Sequence, residues 1–136
     1  MKRFISSLVA GAIMLVAGML TGQLFQLVVP SIKLEYMNPC LFRPWSDPMM
    51  SLVFIEPFVI GFILVWLWDK TKSLITGETF LEKGIKFGLS YWVISIPGMI
   101  MSYSSFSVTL LLVINWSVSG LIQTLCAGIY LSKVLK

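Results

Sequence analysis

The sequence predicts an all-α fold: an integral membrane four-helix bundle forming a single transmembrane domain over residues 1–136, with both termini cytoplasmic. Three observations predict it. Hydrophobic residues make up 57% of the 136 and charged residues 12%, against roughly 25% charged in soluble domains. The mean hydropathy is +0.91, more apolar surface than a soluble fold of this size can hide. Lys and Arg collect at the ends of long apolar runs, where they set topology. One crossing of a ~30 Å hydrocarbon core takes ~20 apolar residues, so four crossings and their connections fill the chain. No separate soluble domain fits.

The first span is expected at about residues 4–29. Met1-Lys2-Arg3 precedes an uncharged run from Phe4 to Ile32. Val16-Ala17-Gly18 imitates a signal-peptidase site, but a signal carries only ~7–15 apolar residues. The run continues to Val28 and Val29, which favours a retained helix. Lys33 to Asp47 is the first connection. Asn38-Pro39, Arg43-Pro44 and Asp47-Pro48 keep it extended or turned, because residues before proline avoid the helical region. Tyr36, Met37, Leu41, Phe42 and Trp45 suit the headgroup layer or a cap on the bundle.

The second span is expected at 48–68. Asp47 is a good N-cap and Pro48 suits the first helical position; Asp69-Lys70 ends it, and Trp45, Trp66 and Trp68 mark its two interfaces. Asp69 to Lys86 connects it to the third span, placed at 84–103. The helix of that span starts earlier, near Phe80, because Thr79-Phe80-Leu81-Glu82 fits a capping box. The uncharged stretch from Phe87 to Ser132 is long enough for two crossings. Its one polar cluster, Ser102 to Ser107, is expected to be the hairpin, leaving the fourth span at 107–131.

Four spans put the N-terminus, second connection and C-terminus on one side. That side carries eight basic residues, including Lys133 and Lys136, and the other has Lys33 and Arg43. The positive-inside rule then sets both termini in the cytoplasm, as a multi-pass protein of the cell membrane.

Glu56 is the one ionisable residue well inside a span, ~12 Å below the outer end at ~1.5 Å per residue. An acidic group at that depth is costly and marks a functional site by default. Pro57 beside it denies the Val53 carbonyl its donor and is expected to kink the helix; Pro97 does the same in the third span. Gln23, Thr21, Ser95, Pro97 and Asn115 fall at ~9–12 Å by the same measure. A bundle interior would gather them as a ligand or proton site around Glu56, with Asn115 as first partner, Gln23 as second, and Arg43 reaching in from the connection. The same residues also suit a purely structural hydrogen-bond cluster.

Small residues mark packing faces. Ser7, Gly11, Gly18 and Gly22 share a stripe on the first span, and Gly120, Thr124 and Gly128 share one on the fourth. Both stripes suit packing within the monomer or, alternatively, against a second copy, and Gly84 and Gly88 suit close packing at the inner interface. Lys83 and Lys86 there read as ordinary flanking charge. Cys40 and Cys126 fall on opposite sides and cannot pair. The scattered methionines read as packing.

The composition excludes familiar chemistries. The sequence has no histidine and its two cysteines form no CxxC, and it lacks phosphate loops and nucleophile elbows. No catalytic residue, metal or cofactor is expected. The net charge of +4 needs no nucleic acid; the partners expected are the lipid bilayer and a second copy or another membrane protein.

In size, span count and single embedded carboxylate the chain resembles the small multidrug resistance transporters. The resemblance is one of architecture. Those proteins carry the working glutamate in the first span, where this chain has none, and no residue is carried over. The function expected is non-enzymatic binding or scaffolding within the membrane. A small transporter or channel subunit using Glu56 is the alternative. A lipid enzyme using Glu56 or Asp47 with Arg43 ranks last, for want of a second catalytic group.

Overall fold

The structure, a computed structural model, describes residues 1–135; Lys136, counted above among the basic residues, lies outside the described residues. The chain is 81% helix and has no strand among the described residues. Four helices are long and apolar enough to cross a membrane. They are α1 (Lys2–Val28), α3 (Leu52–Thr71), α4 (Phe80–Ser105) and α5 (Leu110–Val134); a short α2 (Pro30–Tyr36) follows α1. A 3-10 turn at Pro48–Ser51 leads into α3. Helices α1 and α5 pack on each other, with α3 against α1 and α4 against α5. The start of α1 and the end of α5 share one end of the bundle, the terminal end. The segment between α1 and α3 closes the other, the cap end.

Local chemistry sets the element boundaries. Pro30 lacks an N–H, and Val29 leaves the helical region at φ −127° and ψ 83°. Pro30 then occupies the first turn of α2. The first connection therefore opens with a helix from Pro30 to Tyr36, where an extended or turned segment from Lys33 onward was expected. Asp47 caps the 3-10 turn, accepting the Met49 N–H at 2.9 Å. Helix α3 runs unbroken through Pro57, and α4 through Pro97. Thr79 caps α4 by accepting the Glu82 N–H at 3.1 Å, while the Glu82 carboxylate reaches back to the Glu78 N–H, one residue before the cap. The hairpin spans Phe106 to Thr109, and Thr109 accepts the Leu112 N–H.

Close helix contact depends on five glycines at two interfaces. A Cβ on Gly61 would lie 2.4 Å from the Ser7 carbonyl oxygen, and one on Gly11 2.7 Å from the Phe58 Cα, so α1 and α3 touch backbone to backbone. On the other flank a Cβ on Gly128 would lie 2.4 Å from the Gly84 carbonyl oxygen, and Gly84 and Gly88 face α5 equally closely. Without a hydrophobic drive between helices in lipid, such approach is what van der Waals attraction needs.

Two buried apolar clusters hold the ends. The terminal-end cluster joins Met14, Leu64, Trp68, Phe87 and Leu131 from all four long helices. Trp68 donates its indole N–H to the Leu135 carbonyl at 2.7 Å. The cap-end cluster seats Ile32 of α2 on Val108, Leu112 and Val113. The Glu35 carboxylate accepts the Thr109 N–H and the Thr109 hydroxyl, each at 2.6 Å. A carboxylate at the start of α5 complements the helix dipole, and it ties α2 to α5 at that point.

Candidate functional site

The connection, clamped at α2, roofs a cleft of about 720 Å³ between α1 and α3. Its α1 wall comes from two rows four residues apart. Met14, Gly18, Gly22 and Gln26 form one, and Leu15, Met19 and Gln23 the other. Val53, Phe54, Glu56 and Pro57 form the α3 wall, and Gln123 of α5 reaches the interior. Lys33, Tyr36, Phe42, Arg43 and Trp45 supply the roof. The ring of Trp45 lies 6.5 Å from that of Phe54, joining roof to wall.

Glu56 carries no hydrogen bond and no ion pair among the described residues. Tyr91 of α4 lies within electrostatic range of it. The carboxylate shares the cleft with three glutamine amides, each offering donor and acceptor. Gln123 is held in place: its amide donates to Ser119 Oγ at 3.1 Å, and Ser119 and Thr21 share a buried hydroxyl contact of 2.7 Å between α5 and α1. Gly18 leaves room for it, since a Cβ there would lie 2.7 Å from Gln123 Nε2.

The expected constellation is therefore assembled in part. Glu56 and Gln23 line one cleft, and Arg43 lines it too. Arg43 pairs with Asp47 at 2.8 Å, four residues along the connection, not with Glu56. That guanidinium, with the Met49 amide, holds the Asp47 carboxyl below the usual carboxylate range. Asn115 is a correction. It is buried at the cap end, where its amide donates to the Tyr36 hydroxyl at 3.4 Å beside the Trp116 indole N–H at 2.7 Å. Among the described residues its Oδ1 has no partner. The physical reason is α2: by folding over α5 it brings Tyr36 to Asn115, and α3 approaches α5 little. Burial pushes the Tyr36 phenol up from its ordinary pKa, and the Trp116 and Asn115 donors offset part of that.

Four of the glycines placed on packing faces separate into different roles. Gly128 meets α4 closely and Gly18 accommodates Gln123, whereas Gly22 opens onto the cleft and Gly120 has only the Met99 methyl, 3.6 Å away. Gln26, Gln123 and Lys33 were missed as site residues. The signal for Gln123 was periodic: Asn115, Ser119 and Gln123 recur every four residues on one face of α5. Comparison of the chain with models of protein families, with curated proteins and with solved structures finds no match.

Proposed function

We propose that this chain is a small multi-pass protein of the cell membrane, with both termini cytoplasmic, that binds an amphiphilic small molecule in the cleft between α1 and α3. The eight basic residues on the terminal side against two on the other support that orientation. One observation carries the binding reading: a single unpartnered carboxylate, Glu56, shares a 720 Å³ space with Gln23, Gln26 and Gln123 on walls of methionine, phenylalanine and tryptophan. Apolar pockets with a few convergent polar groups are the usual form of small-molecule sites. The lining fits a ligand with an apolar body and a hydroxyl, amide or ammonium group.

The role is binding without catalysis, because the cleft combines one carboxylate with amides and thioethers in place of a nucleophile and its base. Its lack of a fixed partner also favours a second reading, in which Glu56 exchanges a proton for a cargo in a small transporter.

The test is to purify the full chain in mild detergent and identify by mass spectrometry the amphiphiles it retains. A retained species should be weakened ~10-fold or more by Glu56→Gln, as expected for a hydrogen bond to a charged group of ~1.5–3 kcal/mol, and roughly five-fold by Gln23→Leu, as expected for a neutral hydrogen bond of ~1 kcal/mol. Retention of the same molecules at the same occupancy by both variants would overturn the reading. Transport would show instead as uptake into proteoliposomes that needs a proton gradient and vanishes with Glu56→Gln.

A further inference from the structure

The terminal end holds a second concavity, of about 460 Å³, unrelated to the cleft. Three elements bring cations to it: Lys2 and Arg3 from the start of α1, Lys72 from just beyond α3, and Lys133 from the end of α5. Among the described residues, Asp69 is the one carboxylate that lines the concavity with them. It holds Arg3 at 2.8 Å and Lys72 at 3.8 Å. Lys2 and Lys133 have no carboxylate partner among the described residues. The Lys133 ammonium sits 5.8 Å above the Phe80 ring, a contact that steers the side chain without neutralising its charge.

The local dipoles add to this charge. The first turn of α1 has neither a capping side chain nor an acidic residue, so its free amides face the same region. The opposing negative end of α5 is covered, because the Leu135 carbonyl accepts both the Trp68 indole N–H and the Lys72 ammonium. The floor is apolar, from Val134 and Leu135. Excess positive charge in a concavity over an apolar floor, level with the ends of helices long enough to span a membrane, is the setting for a phosphate whose remainder is greasy.

We propose that this concavity binds a phosphate group, carried by an anionic lipid of the leaflet at the terminal end. Lys2 and Lys133 supply uncompensated charge, and Arg3, fixed by Asp69, supplies a planar donor that matches phosphate oxygens. Asp69 then serves as the post that spaces the cations, not as their full counter-charge.

The test places the full chain in phosphatidylcholine nanodiscs containing trace spin-labelled phosphatidic acid. The expected result is an immobilised fraction larger than for spin-labelled phosphatidylcholine. Lys2→Gln and Lys133→Gln should each weaken it roughly five-fold, as expected for one lysine near a charged surface. Lys83→Gln/Lys86→Gln, which changes lysines outside the concavity, should leave it near the wild-type value. Both sets alter side chains at the surface, and unchanged far-ultraviolet circular dichroism verifies the fold. If millimolar inorganic phosphate displaces the lipid with the same dependence on Lys2 and Lys133, the site stands and free phosphate is its ligand. No preference for phosphatidic acid, or equal losses in both sets of variants, would overturn the proposal.

Discussion

Gly61→Ala is the smallest change that should loosen the bundle. The added Cβ would lie 2.4 Å from the Ser7 carbonyl oxygen and 2.8 Å from the Gly11 nitrogen. Both are backbone atoms of α1, so no side chain can swing aside. To reach ordinary contact, α1 and α3 must part by about 1 Å. Overpacking of this kind costs ~1–3 kcal/mol, and removing a helical glycine returns ~0.5–1 kcal/mol. At the middle of both ranges the net loss is ~1.2 kcal/mol, a roughly 8-fold rise in the unfolding constant. Gly22→Ala is the internal control. A Cβ there has nothing within 4 Å, so the protein should be unchanged or stabilised by up to ~1 kcal/mol. Reversible unfolding in mixed dodecyl maltoside and dodecyl sulfate micelles, followed by circular dichroism, reads both. Equal stability of Gly61→Ala and wild type, or equal damage from the two substitutions, would refute the packing assignment. Because α1 and α3 are also the walls of the cleft, Gly61→Ala should reduce amphiphile retention as well.

Thr21→Val removes the buried hydroxyl contact with Ser119 and should cost only ~0.6 kcal/mol in the same assay, the usual size of interhelical polar contacts in lipid. Glu35→Gln takes a charged acceptor from the Thr109 amide and hydroxyl; amide exchange over Leu110–Val113 should quicken roughly five-fold, for about 1 kcal/mol of lost capping. Acid should release the connection. Asp47 has a depressed pKa in the fold, chiefly from Arg43, so its contribution is present above the ordinary carboxylate range and is lost as pH falls through the lowered value. Trp45 fluorescence should stay constant down to about pH 4 and change below it, and Asp47→Asn should abolish that acid transition.

The four long helices were legible because a membrane crossing demands a long uncharged run, and this chain has only enough residues for four. Caps were legible at Asp47 and Thr79, where one residue type suffices to satisfy an orphan amide. Helix α2 was not. Proline at position 30 reads equally as the end of α1 and as a helical first residue, and only the docking of Ile32 and Glu35 on α5 decides. The site was half legible for the same reason. Depth along a helix follows from residue count, so Glu56 and Gln23 could be set at one level. Which helices are neighbours is a tertiary fact, and it gives Asn115 to Tyr36 and leaves Glu56 facing glutamines. The glycine stripe on α1 shows the limit well. Gly11 and Gly22 share a stripe by periodicity, yet one contacts α3 and the other opens on the cleft.

Reaction with a hydrophobic carbodiimide in native membranes, mapped by mass spectrometry, tests the Glu56 site most directly. The reagent modifies carboxyls that it can reach from the apolar side. Modification should centre on Glu56, spare Asp47 and Glu35 at the cap end, and fall when the membranes are first loaded with the amphiphile that co-purifies with the chain. An unmodified Glu56 in membranes where other carboxyls react, or modification indifferent to that amphiphile, would contradict a ligand site built around it.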